Sequence, residues 1–180
     1  MPVSPEIGVP IVEKLTFMSD VDLRELFANL LAKASNSDTV GVAHPGFINV
    51  INSLSPDEAK LLVWLKANVT LPFVAVSVGS EEKDSWARVE DFQFSAELST
   101  VVRFADNFAA YASNLEGLGL IEVSRTRRMP NEAAYDAIER RLEKRFANFG
   151  SWPDMKEIRF ERGIVGFTRY GWLFCNACVA

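Results

Sequence analysis

The sequence predicts an α+β fold, mostly α-helical, with a small antiparallel sheet, and three observations carry that prediction. Apolar residues recur at three- and four-residue spacing in several separate stretches, each flanked by side chains that cap or end helices. Between those stretches lie short alternating runs such as Val74, Val76 and Val78, the period of a strand with one buried face. The composition, 48% hydrophobic and 24% charged over 180 residues, is that of a chain able to bury its own core. One globular unit over 1–180 is expected, with a helical part over 6–95 and a second part over 96–180.

The first clear helix starts at Ser19 or Asp20, whose side chains accept from free backbone N–H groups, and carries Leu23, Leu26, Phe27, Leu30, Leu31 and Ala34 on one face. The polar run Ser35 to Asp38 ends it. A short helix with Phe47, Ile48 and Ile51 follows His44-Pro45-Gly46. Ser55-Pro56-Asp57-Glu58 is the strongest local signal: a serine N-cap, proline in the first turn and a glutamate three residues after the cap. The helix it opens is apolar nearly all round from Leu61 to Leu65, as expected for one buried by several neighbours.

Leu71-Pro72 is expected to end that helix, Phe73 to Val78 to form a strand, and the polar, acidic stretch Gly79 to Asp91 to be a surface loop. A long helix from about Ala96 to Leu118 would place Val101, Phe104, Phe108, Tyr111 and Leu115 on one stripe and stop at Gly119. Leu120 to Val123 is a strand. Pro130 opens a helix with Tyr135, Ile138, Leu142, Phe146 and Phe149 inward, which Gly150 ends. Ile158 to Phe167 is the last strand. A final helix from Thr168 or Arg169 turns Tyr170, Leu173, Phe174, Ala177 and Cys178 inward.

Two distant segments belong together: Asn114-Leu-Glu-Gly-Leu-Gly-Leu-Ile-Glu-Val123 and Ile164-Val-Gly-Phe-Thr-Arg-Tyr-Gly-Trp-Leu-Phe174. The pair looks like the second half of a winged-helix domain, in which a helix ends at a glycine, a strand leaves it, and the returning strand steps into another helix. Phe167 stands where leucine is usual, and a helix near 130–149 is inserted where a short wing would be. With His44-Pro-Gly-Phe47 and Leu54-Ser-Pro-Asp-Glu-Ala59 added, the whole order resembles the Abi-alpha (abortive infection alpha) family of bacterial proteins over residues 6–178. The resemblance implies a helical N-terminal part packed on a winged-helix-like C-terminal part. It also implies a role in bacterial defence against phage, with no catalytic chemistry to transfer to any residue. Family members often carry a longer N-terminal helical region, of which this chain has almost none, so it is a short member or a fragment.

The residues themselves offer no recognisable catalytic, cofactor or metal centre, and no cofactor is expected. Cys175 and Cys178 have CxxC spacing, but they end a helix, where the dipole disfavours thiolate, and no second pair completes a zinc site. They are expected to pack as small apolar side chains. His44, the only histidine, is expected to bond its own turn. Gly117 and Gly119 belong to a helix end, not to a phosphate-cradling strand-to-helix turn. No run is long and apolar enough to cross a bilayer, and Met1 to Glu6 lacks a signal peptide's basic and apolar blocks, so a cytoplasmic protein without a membrane partner is expected.

Charge is distributed unevenly. Residues 1–124 hold 8 basic and 17 acidic side chains, and residues 125–180 hold 11 and 7. Arg125, Arg127 and Arg128, joined by Arg140, Arg141, Lys144 and Arg145, form the one candidate binding face, read as solvated or protein-binding. The expected function is that of a non-enzymatic defence protein acting through protein contacts. Nucleic-acid binding through this face is the first alternative, although the helix that would enter a groove carries just Arg103 among Glu97, Asp106 and Glu116. A hydrolase or toxin with an unrecognised site is the second. The aromatic-rich C-terminus adds self-association as an expectation.

Overall fold

The computed structural model describes residues 3–147 and 157–179. Among them the chain order is α1 (Pro5–Phe17), α2 (Val21–Ser35), α3 (Phe47–Asn52), α4 (Pro56–Asn68), β1 (Thr70–Ser80), β2 (Ser85–Gln93), α5 (Phe108–Gly117), β3 (Ile121–Ser124), α6 (Glu132–Phe146), β4 (Glu157–Phe167) and α7 (Arg169–Cys178). Helices predominate, and the strands form one sheet in the order β2-β1-β4-β3, so the fold is α+β as the sequence predicts. The chain divides into two units. One takes Met1–Val69, Asn114–Ile121 and Phe167–Ala180, the other Thr70–Ser113 and Glu122–Gly166.

The first unit is a helical assembly built on α2, which packs against α1, α3, α4 and α7. Asp20 caps α2 by accepting from the Leu23 N–H at 3.0 Å. Ser55 and Glu58 cap α4 reciprocally: Ser55 Oγ accepts from the Glu58 N–H, and Glu58 accepts from the Ser55 N–H at 2.7 Å. Glu58 is buried, and its other oxygen accepts from Asn114 Nδ2 at 2.7 Å, so no polar capacity is wasted. Leu23, Leu26, Phe27, Leu30 and Ala34 are buried on the face the sequence predicts. Phe47 meets Phe174 edge-on, with ring centres 5.3 Å apart.

Two distant segments close this unit. Gly119 has φ +72°, and the N–H groups of Gly119 and Leu120 donate to the carbonyls of Glu116 and Leu115, a Schellman end to α5. Thr168 Oγ1 donates to the Gly119 carbonyl at 2.5 Å while accepting from the Gly171 N–H at 2.9 Å, and the Thr168 N–H donates to the Leu120 carbonyl at 3.1 Å. One hydroxyl thereby satisfies the end of α5 and caps α7. Gly171 packs so closely that a Cβ there would collide with the Leu120 carbonyl oxygen. At the other end of α7, Asn29 Nδ2 and Lys66 Nζ donate to the carbonyls of Cys178 and Val179 at 2.9 and 2.8 Å, meeting acceptors a helix leaves unpaired.

The second unit holds the sheet. β1 pairs antiparallel with both β2 and β4. Pro72 is tolerated in β1 because the β2 ladder begins only at Val74. The helix α6 buries Tyr135, Ile138, Leu142 and Phe146 against Val74, Val76 and Ile164 of the sheet. Tyr135 is fully buried; its hydroxyl donates to the Gly163 carbonyl at 3.2 Å and accepts from the Met129 N–H at 2.9 Å.

Several expectations need correction. Residues 79–91 are not a loop: after a turn over 81–84, with Asp84 at φ +44°, the chain returns as β2. β2 is an edge strand with four of its nine residues exposed and one, Phe92, buried, so its charged side chains hide the alternation while protecting the edge from pairing. The helix expected from Ala96 to Leu118 is α-helical only from Phe108, preceded by two 3-10 turns at Leu98–Thr100 and Ala105–Asn107. Phe104, with φ −121° and ψ 78°, breaks the run and stands 54% exposed. The adjacent β-branched Val101 and Val102 favour helix weakly.

The helix α4 stops at Asn68, before Leu71-Pro72, because Val69 turns to φ +65°, and β1 is accordingly longer than Phe73 to Val78. Val63 of α4 is exposed, so that helix is not buried all round. α6 starts at Glu132, two residues past Pro130. A helix also precedes the first one expected: α1 spans thirteen residues, with Pro10 inside it. Phe149 and Gly150 lie outside the described residues.

Leu62 is fully buried in α4, so Leu62→Ala should cost about 2–5 kcal/mol in urea denaturation; an unchanged midpoint would remove α4 from the core. Gly171→Ala should lower the melting temperature, whereas Gly117→Ala, whose Cβ would meet nothing within 4 Å, should leave it unchanged or raise it slightly. Equal effects of the two would contradict the close approach at Gly171.

Candidate functional site

The seven basic side chains singled out from the sequence all lie in the second unit. Arg125 Nη2 pairs with Asp91 Oδ1 at 2.9 Å, and its guanidinium lies 5.4 Å from the centre of the Phe92 ring and 5.7 Å from that of Phe73. Arg127 pairs with Glu122 at 2.7 Å. Arg145 pairs with Glu90, and Arg141 Nη2 donates to the Phe94 carbonyl at 2.6 Å. Arg128, Arg140 and Lys144 are exposed, and no described residue pairs with them.

The acids that engage Arg125 and Arg145 stand on β2, the strand expected to be a loop. Asp91 also pairs with Arg88 at 3.3 Å, and Arg88 with Glu161 of β4 at 2.8 Å. Such half-exposed pairs contribute little stability, in the range of about 0–1 kcal/mol each. Their effect is to orient side chains and to neutralise part of the basic set. Arg162 on β4 was not among the candidates. It reaches Glu139 at 2.7 Å, Asp136 at 3.0 Å and Glu132, three acids on successive turns of α6, and lies 5.2 Å from the centre of the Tyr135 ring. The hydrogen bonds it donates to Glu139 are the main cause that raises its pKa above the ordinary arginine value. Glu132, Asp136 and Glu139 fall at helical spacing, which is the signal that could have pointed to a shared cation.

A cleft of about 490 Å³ opens in the same unit, lined by Glu90 to Phe94 of β2 and the residues after it, by Asp106, Phe108 and Ala109, and by Arg141 and Arg145 of α6. Phe94 and Phe108 meet edge-on at 5.2 Å within its lining.

The remaining candidates behave as structural groups. His44 Nδ1 accepts from the Gly46 N–H at 3.0 Å, and its ring contacts Phe47 and Tyr170. Cys175 and Cys178 are fully buried and unpaired as a disulfide. Burial pushes the Cys175 thiol up to about 12 and raises Cys178 as well. Among the described residues, no cluster of His, Cys, Asp and Glu could hold a metal ion, and no helix is long and apolar enough to cross a membrane.

Both thiols should resist alkylation at neutral pH in the folded protein and react quickly after denaturation; fast labelling of the native state would contradict their burial. The raised values also set a sign. The folded state keeps its thiol protons at alkaline pH where the unfolded state loses them, so this contribution is complete below about pH 9 and is lost as pH rises towards about 12. Replacing Cys175 by serine and Cys178 by alanine should flatten that part of the stability profile.

No curated protein matches the chain. Among solved structures, an uncharacterized protein from the hydrocarbon-degrading marine bacterium Alcanivorax borkumensis SK2 is similar, at 16% identity and a TM-score of 0.42, over 91% of this chain and 100% of that one. The model of the family described as abortive infection alpha matches residues 1–178, nearly the whole length. The motif order of the sequence and this match agree: the chain belongs to the abortive infection alpha family.

Proposed function

We propose that the chain is a cytoplasmic phage-defence protein of the abortive-infection type that acts by contacting another protein and not by a reaction of its own. Family membership is the observation that carries this reading. The apolar surface of the first unit supports the second half of it. α1 turns Ile7 and Ile11 inward but leaves Val9 64%, Val12 58% and Phe17 83% exposed, with Val21 at the start of α2 75% exposed. Val9 and Val12 also line a groove of about 560 Å³ along the helix. Water-facing apolar residues gathered on one helix are what a protein contact would cover.

The winged-helix-like reading of the C-terminal part belongs to the same proposal. Its support is the order of elements, in which α5 ends at Gly119, β3 leaves, α6 intervenes, and β4 returns to Thr168 and α7. The basic set Arg125, Arg127, Arg128, Arg140, Arg141, Lys144 and Arg145 is a second candidate contact face. Arg128, Arg140 and Lys144 are its members without a described partner.

The test is plaque formation on a phage-susceptible bacterial host that expresses the chain. The wild type should reduce plaquing. The double substitution Val9→Asp and Val12→Asp should abolish that protection while leaving the melting temperature within a few degrees, since both side chains are exposed. Full protection by this variant would remove the α1 surface from the account. Loss of protection on His44→Ala with an intact fold would instead argue for chemistry at that residue.

A further inference from the structure

The cleft in the second unit carries two charged side chains, the half-buried Arg141 and the exposed Asp106, that no described residue of opposite charge pairs with. At about 490 Å³ it lies within the range of small-molecule sites, roughly 300–1,000 Å³. Most of its charged lining is accounted for: Glu90 pairs with Arg145 and accepts from Gln93, and Asp91 pairs with Arg88 and Arg125. Arg141 and Asp106 are the exceptions. The half-buried guanidinium of Arg141 meets a neutral acceptor, the Phe94 carbonyl, and no described carboxylate lies within ion-pair distance of it. Among the described residues, four of its five N–H donors meet no acceptor. The Asp106 side chain makes no hydrogen bond or ion pair with any described residue. The same lining includes the largely buried rings of Phe92, Phe94 and Phe108.

We infer that this cleft binds a small zwitterion with an aromatic side chain, a free amino acid or a close derivative. Its carboxylate meets the planar fork of Arg141, which suits a two-oxygen anion. Its ammonium meets Asp106, and its ring packs against the phenylalanines. A ligand bearing only an anion would satisfy Arg141 while adding repulsion at Asp106, and one bearing only a cation would do the reverse. The inference is independent of the defence role, because it rests on the charge complement of the cleft.

Isothermal titration calorimetry of the full chain with L-phenylalanine tests it, against three compounds that each lack one part: phenylacetate without the ammonium, phenethylamine without the carboxylate, and glycine without the ring. L-phenylalanine should bind at least about tenfold more tightly than any of the three. Arg141→Gln should weaken L-phenylalanine and phenylacetate by about tenfold and spare phenethylamine, and Asp106→Asn should weaken L-phenylalanine and phenethylamine but not phenylacetate. Absence of saturable binding of L-phenylalanine in the millimolar range would overturn the inference. So would equal binding of L-phenylalanine and phenethylamine, or affinity that neither substitution changes. Should Arg141→Gln fail to fold, Asp106→Asn and the four-compound comparison decide the matter.

Discussion

The first unit depends on one hydroxyl. Thr168 lies at the point where the chain returns from the sheet, and its Oγ1 makes two bonds at once, donating to the Gly119 carbonyl and accepting from the Gly171 N–H. The first bond meets the left-handed end of α5, and the second starts α7. Gly171 completes the junction, because the absence of a Cβ lets α7 lie against the Leu120 carbonyl. Residues far apart in sequence are thus joined through polar groups that would otherwise be unsatisfied at two helix ends. Leaving such groups unpaired in a buried setting costs about 1–3 kcal/mol each.

The second unit is organised by charge around an aromatic and aliphatic interior. Burial of Tyr135, Ile138, Leu142 and Phe146 seats α6 on the sheet, and Arg162 ties three acids of that helix to β4. Glu90 and Asp91 engage Arg145 and Arg125. Part of the basic set between Arg125 and Arg145 is therefore met within the unit, and its exposed members without a described partner are Arg128, Arg140 and Lys144. The same pairing isolates Arg141 and Asp106, which gives the cleft its character. Of the seven basic side chains adjacent in sequence, Arg125, Arg127 and Arg145 are paired with acids in space.

What was legible in the sequence was local. The Ser55 capping box, the left-handed Gly119, the start of α7 at Thr168 or Arg169, the apolar faces of α2 and α6 and the apolar packing of Cys175 and Cys178 all follow from short-range chemistry, and all are present. Misreadings arose where tertiary context outweighs local pattern. β2 is charged because it is an edge, so no alternation marks it. The expected long helix before Gly119 has the right spacing but passes through two 3-10 turns and the extended Phe104. In α1, Pro10 and the exposed valines obscured an amphipathic pattern that rests on Ile7 and Ile11 alone. The cleft was invisible because its lining comes from four separate stretches of chain, and the lack of an oppositely charged partner for Arg141 or Asp106 among the described residues is a property of space, not of spacing.

The most direct measurement of the central claim is the unfolding free energy of Thr168→Val beside Thr168→Ser, by urea denaturation. Valine keeps the size of threonine but has no hydroxyl, and serine keeps the hydroxyl. If Oγ1 closes the first unit, Thr168→Val should lose about 2–4 kcal/mol with an unchanged denaturant slope, and Thr168→Ser should stay within about 1 kcal/mol of the wild type. Equal stability of the valine variant and the wild type would contradict the account, since the two helix ends would then hold without the bond assigned to them.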